Sequence, residues 1–213
     1  MTVSKEQIVQ WIEATAAVME ENKVYLTELD SPIGDADHGI NMNRGFKKVV
    51  EKLDGFSDKD IGDILKSTGM ALISSVGGAS GPLYGTFYMR SGAAVAAKES
   101  LSDEDLFNLL QAGYEGIVQR GRAQTGDKTM IDAWVPALEA MRSALDAGED
   151  GIGALRKAVA AAEGGMKDTI PLQARKGRAS YLGERSIGHQ DPGATSTYLL
   201  LKALLDTLED ASG

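Results

Sequence analysis

Leu29-Asp-Ser-Pro-Ile-Gly-Asp-Ala-Asp-His-Gly39 separates two stretches of helical periodicity, and it gathers Asp30, Asp35, Asp37 and His38 between turn-forming residues. A hard divalent cation such as Mg²⁺ takes oxygen ligands in octahedral geometry and often completes its shell with phosphate oxygens. Asp30, Asp35 and Asp37 have the right chemistry for one side of such a shell. A polar helix–helix turn with Asp37 as an N-cap accounts for the same residues, because aspartate is common in both places. On its own the stretch leaves both readings open.

Upstream, Ser4 and Gln7 stand at capping-box spacing, and Ile8, Trp11, Ile12, Thr15, Val18 and Met19 recur with helical period. Residues 4–28 therefore read as one helix. Downstream, Met42, Phe46, Val49, Val50 and Leu53 mark a second helix. Ser57-x-x-Asp60 reads as the cap of a third, with Ile61, Ile64, Leu65, Thr68, Leu72 and Ile73 on its inner face. Leu83, Phe87 and an alanine-rich run to Lys98 form a fourth, and Ser102-x-x-Asp105 opens a fifth through Val118. Residues 130–145, 151–168 and 194–209 complete the set. No segment alternates convincingly with period two. The pattern predicts one all-α domain over residues 1–213, with about eight helices, antiparallel between neighbours because most connections are short. Residues 171–193 are polar, glycine-punctuated and too long for a simple connector.

Composition narrows the chemistry. The 213 residues contain no cysteine, which excludes disulfides, thiolate metal sites and thiol catalysis. No apolar run approaches the roughly 20 residues of a membrane span, and MTVSKEQIVQW lacks the apolar core of a signal peptide. The expected location is the cytoplasm, away from membranes. A net charge of −9 argues against nucleic acid as a partner. Arg175, Lys176, Arg178 and Arg185 nevertheless concentrate positive charge in one loop.

Four polar loops stand out: 30–41, 77–82, 121–129 and 175–193. They are the first, third, fifth and seventh connections of an up-and-down bundle, so all four could meet at one rim. Gly77-Gly-Ala-Ser-Gly-Pro82 precedes a helix, and such backbone can approach a phosphate at a helix N-terminus; it also serves as a turn between close-packed helices. Gly121-Arg-Ala-Gln-Thr-Gly-Asp-Lys-Thr129 resembles a P-loop only superficially, because Asp127 intervenes between the second glycine and Lys128, and a helix precedes it in place of a strand. Lys128 and Thr129 read as capping or surface residues. The basic loop suits phosphate, which arginine binds bidentately, or is simply solvated. Asp191-Pro-Gly-Ala194 reads as an acidic N-cap feeding the last helix.

Taken in order, Leu29-Asp-x-x-Ile-Gly-Asp-Ala-Asp-His-Gly-x-Asn-Met-x-x-Gly45, Gly77-Gly-Ala-Ser-Gly-Pro-Leu-Tyr-Gly85, Gly126-Asp-Lys-Thr-Met130, Gly177-Arg-Ala-Ser-Tyr-Leu-Gly183 and Asp191-Pro-Gly-Ala194 resemble the nucleotide-binding L subunits of bacterial dihydroxyacetone kinases. The likeness runs from the first helix to the last, with only the region near 146–168 generic. Ala36 stands where some relatives carry glycine.

The resemblance implies a barrel of eight amphipathic helices with nucleotide and Mg²⁺ at one rim. It implies that Asp30, Asp35 and Asp37 hold two Mg²⁺ ions and, with Arg178, do the catalytic work. His38, Asn41, Met42, Ala79, Ser80 and Leu83 would contact the nucleotide. Gly121 and Met130 would border the adenine, Arg178 would reach phosphate, and Asp191, Pro192 and Gly193 would close the site. By the same likeness, ADP is a resident cofactor rephosphorylated to ATP by a phosphohistidine-carrying M subunit. Its phosphoryl group passes to dihydroxyacetone on a separate K subunit, and a transcriptional regulator is a further partner. Clustered aspartates also occur in prenyl-diphosphate enzymes, but the Asp-Asp-x-x-Asp pattern they require is missing. A nucleotide-sensing protein without catalysis is the other alternative.

Overall fold

The computed structural model describes residues 1–53 and 58–211. Among these, nine α-helices and one 3-10 segment replace the expected set of about eight. Ser4 and Gln7 form the anticipated capping box at the start of α1 (Lys5–Glu21). The expected first helix is two, because Asn22 separates α1 from α2 (Lys23–Asp30). The Asn22 side-chain amide and backbone N–H both donate to Val18 O, at 2.9 and 3.0 Å. Such local side-chain bonding competes with continuation of a helix. There follow α3 (His38–Val50), α4 (Ile61–Ser75), α5 (Ser80–Ala94), α6 (Asp103–Gly121), α7 (Ile131–Asp146), α8 (Gly151–Asp168), the 3-10 segment Arg178–Ser186 and α9 (Pro192–Asp210).

Asp60 caps α4 by accepting the Asp63 N–H at 2.8 Å; Ser57 lies outside the described residues. The alanine-rich run stops short of Lys98, since α5 ends at Ala94, and Pro82 occupies the third helical position of α5. Two strands correct the wholly helical expectation. β1 (Thr2–Ser4) and β2 (Ser100–Ser102) pair antiparallel, with Val3 opposite Leu101 and both buried. Three residues are too few to display period-two patterning, and the partners lie far apart in the chain.

From α3 to α9 each helix packs against its successor, and α9 packs on α1, which in turn packs on α3. Aromatic side chains fill the middle. Tyr88 meets Trp11, Phe46 and Phe87 at ring-centroid distances of 5.7, 6.2 and 5.2 Å, and Phe87 lies 4.9 Å from Trp134. Trp11 Nε1 donates to Leu200 O at 3.1 Å, joining α1 to α9 through the core. Thr15, the one polar member of the α1 stripe, is fully buried and donates to Trp11 O at 2.8 Å.

α4 and α5 approach so closely that their contact requires glycine. A Cβ on Gly69 would stand 2.5 Å from Gly85 O, and one on Gly92 would stand 2.4 Å from Gly62 O. Those are backbone clashes that no side-chain rotation relieves. Gly69→Ala should destabilise the fold by about 1–3 kcal/mol, the range for overpacking a close contact. Urea denaturation followed by helical ellipticity checks it, with a lowered midpoint expected.

Candidate functional site

The four polar loops do converge. Together with the helix ends that carry them they line one cavity of about 780 Å³. Its wall takes Asp30, Gly34, Asp35, Asp37 and His38 from the first connection, Gly77–Ser80 and Leu83 from the α4–α5 turn, Gly121 and Lys128–Ile131 from the α6–α7 loop, and Arg175–Tyr181 with Asp191–Gly193 from the last.

The aspartates are held by local backbone geometry. Asp30 ends α2, and its O accepts from Ile33 N at 3.1 Å and Gly34 N at 2.6 Å, folding the chain back. A Cβ on Gly34 would fall 2.0 Å from Asp30 Oδ1, so only glycine lets the turn close over this carboxylate. Ala36 then adopts φ +58°, a left-handed conformation that suits glycine better. Asp30 Oδ2 accepts the Asp37 N–H at 2.9 Å and the His38 N–H at 3.2 Å. This corrects the capping assignment. Asp37 occupies the N-cap position of α3 but makes no side-chain cap bond, and Asp30 satisfies the helix start in its place. One carboxylate oxygen from each of Asp30, Asp35 and Asp37 lies within 4.8 Å of the others. Three oxygen donors with two carboxylates partly solvent-accessible suit Mg²⁺ or a similar hard cation. Arg178 Nη2 contacts Asp35 Oδ2 at 3.0 Å, although the arginine side chain is 70% exposed.

His38 is buried, and both its ring nitrogens are engaged. Nε2 lies 2.9 Å from Ser196 Oγ and Nδ1 3.1 Å from Ser80 Oγ. Burial pulls its pKa down to about 4 despite Asp30 and Asp37, so the ring is neutral at pH 7. Tyr84 OH lies 2.7 Å from Ser196 Oγ and 3.3 Å from Thr197 Oγ1, with its own pKa pushed by burial up to about 12. The chain Ser80–His38–Ser196–Tyr84 thus fixes α3, α5 and α9 to one another beneath the cavity. Tyr84 and Ser196 escaped sequence reading because each sits at an ordinary inward-facing helix position.

Lys128 is not a surface residue, whereas Thr129 is half-buried and its Oγ1 accepts the Ile131 N–H at the start of α7, at 3.2 Å. Lys128 is buried, and its Nζ donates to the carbonyls of Thr169, Leu172 and His189. Asp132 on α7 accepts from Gly126 N at 2.5 Å and Thr129 N at 2.8 Å, shaping the same loop. Asp191 caps α9 as expected, accepting the Ala194 N–H at 2.7 Å. Burial raises its pKa to about 7, against the lowering effect of that bond.

Ala79, Ser80, Leu83, Gly121, Met130, Arg178, Asp191, Pro192 and Gly193 all line the cavity with the aspartates and His38. Asn41 and Met42 do not. Met42 is fully buried in the core, and Asn41 Oδ1 accepts from Arg44 Nη2 at 2.7 Å behind the Gly77 turn.

The DAK2 domain matches residues 32–206. The chain is 54% identical over 204 residues to "PEP-dependent dihydroxyacetone kinase, ADP-binding subunit DhaL" of Escherichia coli K12, covering 96% of this chain and 97% of that protein. It is 42% identical over 200 residues to the "PTS-dependent dihydroxyacetone kinase, ADP-binding subunit DhaL" of Lactococcus lactis, covering 94% and 96%. A crystal structure of the C. freundii dihydroxyacetone kinase, in complex with AMP-PNP and Mg²⁺, shares the fold with a TM-score of 0.72 at 23% identity. That match covers 97% of this chain and 34% of the other.

Asp30 and Asp35 should separate in a stability measurement. Asp30→Ala leaves the Asp37 and His38 amides without their acceptor and should cost about 1–3 kcal/mol even in metal-free buffer. Asp35→Asn removes only an exposed ion pair and should change stability by less than about 1 kcal/mol. Parallel denaturant titrations in EDTA check both.

Proposed function

The chain belongs to the DAK2-domain family, and we propose that it is the ADP-binding subunit of a phosphoenolpyruvate-dependent dihydroxyacetone kinase. The observation that carries this reading is the meeting of three carboxylates, with ligand oxygens within 4.8 Å of one another, and the α5 N-terminus on one cavity wall. The close, near full-length similarity to relatives with that name supports the same conclusion. The single domain of residues 1–213 would form a ring of eight helical positions, α1 and α2 counting as one, with nucleotide and metal at one rim.

Asp30, Asp35 and Asp37 would hold two Mg²⁺ ions, Asp30 preorganised by the amides it already accepts. Bound there, Mg²⁺ supplies charge neutralisation on phosphate oxygens, and ADP carries the phosphoryl group between a phosphohistidine M subunit and dihydroxyacetone on a K subunit. Ala79 and Ser80 would present the α5 N-terminus to phosphate, where orphan N–H groups and the helix dipole favour negative charge. Arg178 would exchange Asp35 for phosphate oxygens, which suit its planar fork. Leu83, Gly121 and Met130 would offer an apolar edge to the adenine, while Asp191, Pro192 and Gly193 would close the opposite side. His38 would act by fixing Ser80, its neutral ring being fully engaged, and Asn41 and Met42 would support the wall from behind. A cytoplasmic location and a transcriptional regulator as a further partner complete the reading. No described helix is long and apolar enough to cross a membrane.

Denaturing the purified protein should release about one ADP per chain that survived gel filtration. Adding a K subunit, dihydroxyacetone and a phosphohistidine donor should then yield dihydroxyacetone phosphate. An empty protein, or no product in the assembled system, would sink the proposal. Asp35→Asn should lower nucleotide retention at least about tenfold with the helical spectrum unchanged; normal retention would mean the metal ligands are misassigned.

A further inference from the structure

We propose that Lys128 is a positioning residue whose ammonium serves as an internal cation, tying the segment 169–191, and with it Arg178 and Asp191, over the cavity. The proposal rests on the nucleotide-binding reading above. Its Nζ donates to Thr169 O at 2.7 Å, Leu172 O at 3.1 Å and Ile170 O at 3.4 Å, and to His189 O. The first three carbonyls belong to the start of the segment and the fourth to its end, so one charged atom closes the loop between them. Thr169 is also the C-cap of α8, where carbonyls left without helical partners favour a cation.

Neighbouring bonds act in the same direction. Asp127 O accepts the Arg175 N–H at 3.0 Å, and Thr169 Oγ1 accepts the Asp191 N–H at 3.0 Å. Gly188 N donates to Ile170 O at 2.8 Å, drawing the two ends together. The backbone offers no reason for lysine here. Lys128 has φ +61°, a conformation glycine adopts at less strain, so the side chain is what the position requires. Although Lys128 reaches the cavity wall, an ammonium has three protons, and four carbonyls already share them. It therefore has no donor to spare for phosphate, unlike the lysine of a P-loop. Burial pulls the Lys128 pKa below its ordinary value, and Asp191 and Asp132 nearby oppose that shift.

Lys128→Met, nearly isosteric, tests the idea with the full chain. Three readouts are compared: hydrogen exchange of amides in residues 174–188, ADP retention, and helical ellipticity. Exchange in 174–188 should accelerate at least about tenfold and ADP retention should fall about 10–100-fold, with ellipticity kept. In Lys128→Ala, n-propylammonium should restore protection of 174–188 where an equal concentration of sodium does not. Weakened ADP binding with unchanged exchange would make Lys128 a direct ligand and overturn the proposal. So would unchanged exchange with unchanged retention, absence of rescue by the amine, or global unfolding of both variants. If the wild-type protein itself holds no ADP, the nucleotide reading fails while exchange and amine rescue still decide the role of Lys128.

Discussion

The Asp30 carboxylate joins the fold to the site. It closes α2, takes the first amides of α3, and belongs to the cluster of three oxygen donors. Because its geometry is fixed by backbone N–H groups, the neighbouring aspartates are placed relative to a rigid reference. Gly34 follows from this constraint, since a side chain there would collide with the same carboxylate. So does the left-handed Ala36, which turns the chain sharply enough to return Asp37 to Asp30. A site that uses one oxygen for structure and leaves the cluster able to take a cation is preorganised before any ligand arrives, which lowers the reorganisation needed for binding.

Beneath that turn, order passes through hydroxyl groups. Ser80, Ser196 and Tyr84 surround the neutral His38, and each comes from a helix that also contributes to the cavity. The Gly-lined contact of α4 with α5 keeps the α5 N-terminus at a fixed height on the opposite wall. Above it, the segment that carries Arg178 is stitched to the α6–α7 loop by Lys128 and by the Asp127–Arg175 backbone bond. Rigid helices thus supply the floor, and a cation-bound loop supplies the roof.

Much of this was legible in the residues. The aspartate cluster announces itself because its members fall within a single turn, and loop parity already put 30–41, 77–82, 121–129 and 175–193 at one end. Helix starts at Ser4, Ser102 and Asp191 were readable from capping chemistry, whereas the cap of α4 is Asp60 and not the expected Ser57. What escaped depends on contacts distant in sequence. Lys128 looked like a surface or capping residue because its carbonyl partners are main-chain atoms some forty to sixty residues away. Main-chain partners leave no side-chain signature. The break at Asn22 lacks glycine or proline, and the short β1–β2 pair is decided by Val3 and Leu101 meeting across most of α1 to α5. The capping of α3 by Asp30 was hidden for the same reason: Asp37 stood in the expected place.

The Arg178–Asp35 ion pair gives the cavity an internal counter-ion. Under the proposed function, a cation arriving at Asp35 would compete with the guanidinium, and a phosphate arriving with that cation would receive it. Metal and nucleotide would then enter by a change of partners, each helping to seat the other, which is a form of positive cooperativity between two ligands.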